Sequence, residues 1–511
     1  MSAKPRIRVQ VKGQRITDER ARELMAPKPT NVVPFPAAAR PRNDFDATKS
    51  HRRLKSWQPT GTNLNELLAS GGDQLVRRSR DLVRNNGYAA NGKEAFTASA
   101  VGAGIKPASM HPDKEVRRLL GEAFYRWTDE SDADGLTDWY GQQAMVAGAL
   151  YEAGEMFARF RPRRSEDGLS VPLQVQLLES EMLPWDKRAD QPKIRNGIEF
   201  SPIGKRSTYH FYAEHPGSGD FGAALERPVS ASEVAHVFKP IRPGQIRGVP
   251  WLTPAMIMLR FLGDYDDAEL ARKQAAALFA GFITETDRAF FGDDYESDPD
   301  DDSVLAPVTP MTFHKLRPGE DIKFSEPGDV GQQYEAFQYR TLCQICAALG
   351  IPYHLVTGDL RQVNYSSIRA GIVDFKRRIE QVQHGVLVFQ FCRPTWDRWV
   401  PLAMQSVPEL LPYLPAYLKD PKPFHAVRWK TPRWEWVDPL KDLKAEQLAV
   451  EMRVKARSDV IDEMGEDPEV VDARIKADQD RAEALGIVIE SSQVQPDPEP
   501  PEAAPAPAQR D

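Results

Sequence analysis

The feature that most constrains the fold is a stripe of apolar residues at heptad spacing that begins soon after residue 365. Its members are alternately four and three residues apart, which places them on one face of a continuous helix. The stripe consists of Ile368, Ile372, Phe375, Ile379, Val382, Val386 and Phe389. A helix over residues 365–392 would span about 42 Å. Such a long, one-sided helix needs a large surface to pack on, either its own subunit or a neighbouring one.

The chain before this helix is predicted to contain helices first and short strands afterwards. Apolar spacing predicts helical structure over residues 64–86, and Gly71-Gly72 divides it into two helices. Three more helices are predicted, over residues 88–100, 113–127 and 137–151. After residue 155 the pattern changes to short strands separated by Pro, Gly and charged loops. The predicted strands are 156–161, 173–178, 198–200, 209–212 and 234–238.

Further helices are predicted on both sides of a loop that is rich in aspartate, over residues 251–280 and 332–349. A proline-rich crossing at 394–423 and an aromatic patch of Trp429, Trp434 and Trp436 follow the long helix. A charged helical run over 438–485 is interrupted at Gly465, a C-cap glycine, and restarts with Pro468 in its first turn. The combination predicts an α+β fold.

Net charge limits how this chain of 511 residues can contact nucleic acid. A net charge of −7 argues against a protein that neutralises phosphates over its whole surface. Residues 1–62 differ from the rest, with 14 basic and 5 acidic residues. This basic arm either touches nucleic acid or an acidic partner, or is a solvated terminus.

The same sequence predicts a cytoplasmic, reducing environment. Its three cysteines, Cys343, Cys346 and Cys392, cannot supply a disulfide scaffold. No apolar stretch of signal-peptide length follows the basic N-terminus. The longest apolar run, 275–283, is far shorter than the roughly 20 residues that cross a bilayer. We therefore expect no contact with a membrane.

Motifs of the common enzyme classes are missing from the sequence. There is no phosphate-binding Gly-x-x-x-x-Gly-Lys-Ser/Thr, no His-Glu-x-x-His and no Gly-x-Ser-x-Gly. Cys343-x-x-Cys346 has no second pair to complete a zinc site, and its amphipathic surroundings favour buried thiols. Asp132-x-Asp134-Gly135 lacks the later glutamate of a calcium loop. The sequence thus predicts no catalytic residue, no cofactor and no metal, and an architectural function.

Several segments, in one order between about residues 75 and 488, resemble the lambda-type family of tailed-bacteriophage portal proteins. The most specific is Arg242-Pro-Gly-Gln-Ile-Arg-Gly-Val-Pro-Trp-Leu252. The others lie at residues 79–88, 101–107, 153–155, 349–352, 357–359, 364–369 and 434–439. Several separate motifs in one order are more specific than any one of them. The basic arm and the C-terminal tail lie outside the resemblance.

The resemblance implies a portal fold with an α/β wing, a helical stem, a small clip, a long heptad-patterned tunnel helix and a helical crown. It also implies a ring of twelve copies. On that plan the chain begins with a basic, largely disordered arm at 1–62 and the wing at 63–250. Stem helices at 251–280 and 332–349 lie on either side of the clip at 281–331, and the wing return at 350–437 contains the tunnel helix at 365–392. The crown at 438–490 and a disordered Pro/Glu/Ala tail at 491–511 complete the chain.

The function that the resemblance implies is a homo-dodecameric conduit at the unique vertex of the capsid, which assembles in the host cytoplasm and stays in the virion. Double-stranded DNA would pass through it during packaging and ejection. Its implied protein partners are the terminase large subunit, the head–tail adaptor, and the major capsid and scaffold proteins. Two other hypotheses are another phage head or baseplate component, which lacks the ordered motifs, and an unrecognised hydrolase, which lacks a nucleophile or metal constellation.

Two groups of residues are candidates for functional contacts. The first belongs to the tunnel helix and comprises Asn364, Ser366, Arg369, Lys376, Arg377 and Arg378. Its cations are either sparse phosphate contacts near a constriction or partners for acids of a neighbouring subunit, and dense charge on a helix favours the second. The other group comprises the clip acids Asp293, Asp294, Asp298, Asp300, Asp301 and Asp302. These acids either dock the adaptor, hold divalent cations or form a solvated loop.

Overall fold

The computed structural model describes residues 10–11, 14–15, 56, 58–219, 225–277, 281–285, 320–324, 333–361, 365–432, 439–466 and 468–487. The chain divides into two units, Met1–Thr62 and Asn63–Asp511. In the first unit, strands β1 (Gln10–Val11) and β2 (Gln14–Arg15) pair antiparallel. Most of the predicted basic arm and all of the predicted tail lie outside the described residues.

Helices open the second unit. They are α1 (Leu64–Asn85), α2 (Gly87–Val101), α3 (Lys114–Thr128) and α4 (Trp139–Glu152). Each begins after an Asn or Asp whose side-chain oxygen accepts a backbone N–H of the first turn, which replaces a missing helical hydrogen bond. These caps are Asn63, Asn86, Asp113 and Asp138. The helix predicted over 88–100 is confirmed despite its internal glycine.

The predicted break at Gly71-Gly72 is wrong, because α1 continues through both glycines for 22 residues. Gly72 is buried, and a Cβ there would lie 2.5 Å from Cε3 of Trp185. A Cβ on Gly71 would meet nothing within 4 Å. The pair therefore does not end a helix; Gly72 lets the indole of Trp185 pack directly on the helix backbone.

The strands form small antiparallel sheets. β4 (Glu155–Pro162) lies between β5 (Leu173–Leu178) and β10 (Val234–Phe238). A four-stranded meander contains β6 (Lys193–Arg195), β7 (Ile198–Phe200), β8 (Arg206–Tyr212) and β9 (Glu226–Ser230) in chain order. All five predicted strands are confirmed. Strands β6 and β9 were not predicted, nor was β3 (Lys106–Ser109), which pairs with β13 (Val427–Lys430).

Two antiparallel helices follow the sheets. α5 (Met256–Ala277) starts later than predicted, because residues 251–255 form turns. α6 (Gln333–Leu349) packs against it, and the Tyr334 hydroxyl donates to Asp266 Oδ1 at 2.8 Å. Between these helices, strands β11 (Gly281–Glu285) and β12 (Glu320–Phe324) pair antiparallel. A short helix, α7 (Tyr353–Thr357), comes after α6.

The long helix extends beyond its predicted end. It consists of α8 (Tyr365–Val382), a π-helical segment (Gln383–Cys392) and α9 (Arg393–Ser406), joined without a break. The proline-rich crossing predicted from residue 394 is therefore wrong for its first thirteen residues. Pro394 lies in the first turn of α9, while Pro401 lies inside that helix. α8 through α9 is longer than the 28 residues that the stripe predicted.

The apolar stripe packs on the subunit's own core, but its last member does not. Phe375, Ile379, Val382 and Val386 are buried in the main core, whereas Phe389 is 61% exposed. A π-helix has more residues per turn than an α-helix, so the buried face rotates away from the heptad positions. Leu387, Val388 and Phe391 fill the core in place of Phe389.

The C-terminal part is helical, apart from β13. Its helices are α10 (Leu414–Lys419), α11 (Lys422–His425), α12 (Pro439–Glu451), α13 (Arg457–Glu463) and α14 (Pro468–Ala484). The predicted interruption at Gly465 is confirmed, with φ of +80°. A second interruption, at Arg453 with φ of +58°, was not predicted. Of the predicted aromatic patch, Trp429 is buried in β13, and Trp434 and Trp436 lie outside the described residues.

Single-turn 3₁₀ helices complete the described elements. They are Ser165–Asp167, Ser180–Met182, Ala231–Glu233 and Leu411–Tyr413. The main core joins the first helices to the long helix through a cluster of aromatic rings 4.6–6.4 Å apart. Its members are Phe124, Trp127, Trp139, Phe391, Trp396 and Trp399, all at most 2% exposed. None of the helices in the described ranges is long and apolar enough to span a membrane.

The two adjacent glycines of α1, Gly71 and Gly72, provide a matched test of the packing of Trp185 on this helix. We expect Gly72→Ala to lower the free energy of unfolding by about 1–3 kcal/mol, because the new methyl group would overlap the Trp185 ring. Gly71→Ala should instead raise it by about 0.5–1 kcal/mol, since alanine is the better helix former. Urea unfolding followed by tryptophan fluorescence measures both. Equal effects at the two positions would contradict the packing of Trp185 on Gly72.

Candidate functional site

Two of the segments that carry the family resemblance, 153–155 and 242–252, meet at a buried ion cluster. Glu155 is the first residue of β4. The side chains of Glu155 and Arg247 are both 0% exposed. Arg247 Nε donates to Glu155 Oε1 at 2.7 Å, and Nη2 lies 2.6 Å from the same oxygen. His236 Nε2 lies 3.0 Å from Oε2, which also accepts the backbone N–H of Gly248 at 2.7 Å.

The remaining donors of Arg247 fix the loops around it. Nη2 donates to the carbonyl of Ser180 at 2.8 Å, and Nη1 donates to the carbonyl of Leu183 at 3.1 Å. The guanidinium carbon lies 3.7 Å from the ring centroid of Trp185, a stacked cation–π contact. A buried cation with this many partners pays little for lost hydration, so it is a structural group rather than an accessible binding site.

Two glycines allow the segments to approach one another. Gly154 has φ of +82°, and a Cβ there would lie 2.2 Å from the carbonyl carbon of Val249. A Cβ on Gly248 would lie 2.2 Å from the carbonyl oxygen of Gly154. Residues 153–155 and 242–252 therefore form a single structural unit. Trp251 belongs to this unit, and its Nε1 donates to the carbonyl of Leu349 at 2.7 Å, which joins the unit to the end of α6.

Burial and charge set the protonation of this cluster. Burial alone would raise the pKa of Glu155, but the charge of Arg247 and the hydrogen bond and charge of His236 outweigh it and hold that pKa at about 2. Burial lowers the pKa of His236 to about 4, despite the opposing effect of Glu155. At neutral pH the cluster is therefore a carboxylate, a guanidinium and a neutral imidazole.

A pair of cations lies beside the junction of Trp251 and Leu349. Lys239 Nζ is 4.1 Å from the ring centroid of Trp251. Burial and the nearby charge of Arg378 both lower the pKa of Lys239. Arg378 lies against Gly350, where a Cβ would be 2.4 Å from Nη1. The end of β10, the end of α6 and the long helix thus meet at a positively charged point.

The predicted residues of the long helix do not form one site. Arg369 Nη2 donates to Asp442 Oδ1 of α12 at 3.0 Å, and Lys376 lies 3.8 Å from Glu380 one turn away. Arg377 and Arg378 are exposed. Ser366 lies in α8, but its side chain, like the whole of Asn364, is outside the described residues, as are the predicted clip acids at 293–302.

Glu179, Glu181 and His215 form, within the described ranges, a group whose ligand atoms are close enough to hold a metal ion. Arg80 already occupies the space between the acids: its Nη1 donates to Glu179 and its Nη2 to Glu181, both at 2.9 Å. A guanidinium bound to both carboxylates neutralises the charge that would attract a cation. We therefore interpret this group as an ion-pair cluster that connects α1 to the loop after β5.

The predicted burial of the Cys343-x-x-Cys346 thiols is confirmed for Cys346 and is wrong for Cys343, which is partly exposed. Cys392 is buried as well. Burial raises the pKa of Cys346 to about 12, so its thiol stays protonated. A protonated thiol is a poor nucleophile and a poor metal ligand.

Large apolar side chains are exposed on the α5–α6 pair. Ile257 and Phe261 lie one turn apart on α5 and are 69% and 66% exposed, and Phe337 on α6 is also exposed. The C-terminal helices expose apolar residues as well, namely Leu440, Leu443, Leu448, Val470 and Ile475. Exposed apolar clusters of this kind mark protein–protein contacts.

The sequence pattern alone does not identify the ion cluster, although Glu155 and Arg247 both lie in segments that carry the resemblance.

Removing one partner of the cluster should be strongly destabilising. We expect Arg247→Met to lower the free energy of unfolding by about 3–5 kcal/mol, since it leaves a buried carboxylate without its cation. Arg242→Met is the control, because Arg242 is exposed in the same segment and should change stability by less than about 0.5 kcal/mol. Chemical denaturation compares them, and similar losses would refute the role assigned to Arg247.

The cluster also predicts how stability depends on pH. His236 and Glu155 both have lowered pKa values in the folded protein, so the unfolded chain binds more protons and acid favours unfolding. The His236 contribution should be fully present above pH 6.5 and should be lost as pH falls to about 4. Denaturation at several pH values should show that the free energy of unfolding falls less between pH 6.5 and about 4 for His236→Gln than for the wild type. Parallel curves would show that His236 does not titrate there.

Comparison with known proteins places this sequence in a family. The model of the family described as phage portal protein, lambda family, matches residues 50–383. The chain is 24% identical over 467 residues to a probable portal protein of Halomonas phage phiHAP-1, with 87% of each chain covered. It is 22% identical over 367 residues to portal protein B of Escherichia phage lambda, which covers 62% of this chain and 66% of that one.

Solved structures give weaker matches. The neck of an empty gene transfer agent particle aligns with a TM-score of 0.44 and 13% identity, over 81% of this chain and 97% of the other. An HK97 family phage portal protein from Corynebacterium diphtheriae aligns with a TM-score of 0.32 and 11% identity, over 58% and 85%. The family predicted from the ordered segments is confirmed by the family model, which spans more than half of the sequence. The chain belongs to the lambda family of phage portal proteins.

Proposed function

We propose that this portal protein forms a ring of twelve copies at the unique vertex of a phage capsid, where double-stranded DNA passes during packaging and ejection. The observation that carries the proposal is the match of residues 50–383 to the portal family. The proposal involves no catalytic step, in keeping with the missing enzyme motifs.

Exposed apolar residues support assembly into a ring. Ile257 and Phe261 are four residues apart and point from the same face of α5, and nothing else in the described part of the subunit covers them. In a ring, each copy would cover the exposed face of the next. Such coverage would remove from water two large side chains that an isolated subunit leaves hydrated.

Charge supports a conduit that does not grip DNA. The net charge is −7. Of the basic residues around the long helix, Arg361 is paired with Asp359, Arg369 with Asp442 and Lys376 with Glu380. Each free cation that contacts a phosphate adds affinity through counterion release, and translocation must break that contact. Pairing these three cations within the chain leaves fewer of them free to hold a phosphate, which favours a duplex that slides.

The implied parts of a portal can be proposed for the described elements. We assign α5 and α6 to the stem, β11 and β12 to the clip, and α12 to α14 to the crown. Four ion pairs attach the crown helices to the body: Arg369 to Asp442, Arg428 and Lys430 to Asp462, and Arg117 to Glu469.

We further propose the partners that a portal needs. Terminase large subunit and the head–tail adaptor would bind at the clip, where the aspartates at 293–302 could steer an oppositely charged partner. Major capsid and scaffold proteins would surround the ring as it assembles in the host cytoplasm.

Negative-stain electron microscopy together with mass photometry tests the ring. Purified protein should show rings with a central hole and a mass about twelve times 57.5 kDa. The double variant Ile257→Ser/Phe261→Ser should form mostly monomers or small oligomers, because it removes the exposed apolar face of α5.

Ile203→Ser is the matched control, since Ile203 is 89% exposed in the loop between β7 and β8 and should leave the rings intact. A wild-type monomer that persists when scaffold and capsid proteins are present would refute the ring. Intact rings of the double variant would refute the role of α5.

A further inference from the structure

Three arginines lie in a row on one face of the sheet that β5, β4 and β10 form. Alternate residues of a strand share a face, so Arg159, Arg161 and Arg163 follow one another at steps of about 6.8 Å. Arg163 comes just after β4, but its backbone N–H still donates to the carbonyl of Pro172 at 2.9 Å, so the strand pairing continues. Phe160 points to the opposite face and is buried in the main core. The row therefore points away from that core.

The neighbouring strand holds the row with uncharged side chains. Gln176 of β5 lies directly opposite Arg159, and Gln174 lies opposite Arg161. Arg161 Nη1 donates to Gln176 Oε1 at 2.7 Å. Arg163 Nε donates to Gln174 Oε1 at 2.8 Å. An amide oxygen accepts a hydrogen bond without carrying a net charge, so it positions a guanidinium and leaves the positive charge uncompensated.

Gln174 is itself held by the turn after α3. Its Nε2 donates to the carbonyls of Glu130 and Asp132, both at 3.0 Å. The amide cannot turn away from Arg163 without losing these two bonds. The row is therefore organised before any ligand binds, which reduces the entropy lost on binding.

No acid of the described chain neutralises the row. Among the described residues, none of the three arginines forms an ion pair with a carboxylate, and the buried Nε of Arg159 has no hydrogen-bond partner. Burial and the charges of Arg159 and Arg163 lower the pKa of Arg161, and they outweigh the opposing charges of Asp134 and Glu233. The three residues are partly exposed. An anion that joins them would relieve the repulsion between their charges.

We propose that Arg159, Arg161 and Arg163 bind phosphates of the backbone of double-stranded DNA. A nucleic acid strand carries a negative charge on every nucleotide, so one strand can meet several arginines in a row. An acidic peptide would have to place three carboxylates at the same spacing. The fork of a guanidinium also matches the oxygens of a phosphate. The inference rests on the proposed function, since passage through a portal is what brings a duplex to this chain.

Three phosphate contacts make a weak hold that depends strongly on salt. Each neutralised phosphate contributes about −0.9 to the slope of the logarithm of the binding constant against the logarithm of salt concentration, so the row contributes about −2.7. This part of the affinity falls about fortyfold between about 50 and 200 mM salt. Such a contact can guide a duplex and still let it move.

Fluorescence anisotropy of a labelled duplex oligonucleotide, titrated with the full chain at several salt concentrations, tests the proposal. The triple variant Arg159→Gln/Arg161→Gln/Arg163→Gln should show a slope that is shallower by about 2.7, and at least about tenfold weaker binding in low salt. The basic arm at 1–62 is the same in both proteins. The difference between the two slopes therefore reports the row alone.

A second triple variant is the matched control. Arg118, Arg457 and Arg481 are exposed and each pairs with an acid of its own chain. The variant Arg118→Gln/Arg457→Gln/Arg481→Gln removes the same net charge and should change the slope by less than about 1. Equal changes in the two triple variants would show a general effect of charge and would overturn the proposal.

Gln176→Glu tests the row without removing an arginine. The new carboxylate would lie beside Arg161 and opposite Arg159, at nearly the size of the native side chain. It should pair with them and make the slope shallower by about 1–2. This variant decides the question if the arginine triple variant has a lower unfolding temperature than the wild type. A wild-type slope for Gln176→Glu would overturn the proposal.

DNA binding can be measured with or without rings, so the outcomes separate this inference from the proposed function. Wild-type protein that never forms rings, but whose slope depends on the row, refutes the ring alone. Rings that form normally, with the same slope in the arginine triple variant, refute the inference alone. If that variant keeps its DNA binding while its rings dissociate, the row contacts a neighbouring copy, which would also overturn the inference.

Discussion

The buried contact between Glu155 and Arg247 is the interaction on which the arrangement of the body depends. Arg247 binds Glu155 at the start of β4, donates to two carbonyls of the segment after β5 and stacks on Trp185. The same indole lies on the backbone of α1 at Gly72. One guanidinium therefore connects a helix, a sheet and the segment that leads into α5. Apolar residues of equal volume could supply similar stability, but they could not supply these directional bonds.

A second constraint comes from the π-helical segment. Gln383 Nε2 donates to the carbonyl of Ala100 at 3.0 Å, and Gln390 Oε1 accepts the backbone N–H of Phe238 at 2.8 Å. These two amides, at the two ends of the wide turns, fix the long helix to α2 and to the end of β10. Because Lys239 follows Phe238 directly, the same contact helps to set its position near the long helix. The π-helical segment thus positions a surface residue, Lys239, as well as the core side chains.

Local patterns predicted the elements that depend on local patterns. The heptad stripe identified a long helix packed along Phe375 to Val386, and alternation identified five strands. Local spacing could not show that Gly72 faces Trp185 while Gly71 faces open space, since both are glycines in one amphipathic run. Nor could it show the pairing of β3 with β13, whose strands are four residues long and more than 300 residues apart. Pro394 misled the prediction because proline is compatible with a first helical turn.

The candidate site was less predictable, because charge alone does not say where a partner lies. Arg369, Lys376 and Arg378 have the same signature in the sequence, yet two of them pair with acids of their own chain, and Arg378 lies against Gly350 instead. The difference between them depends on where Gly350 and Trp251 lie in the folded chain, and residue spacing along the helix does not predict that position. Each exposed ion pair contributes at most about 1 kcal/mol, so the pairs of Arg369 and Lys376 position the helices that they join and add little to the stability of the fold.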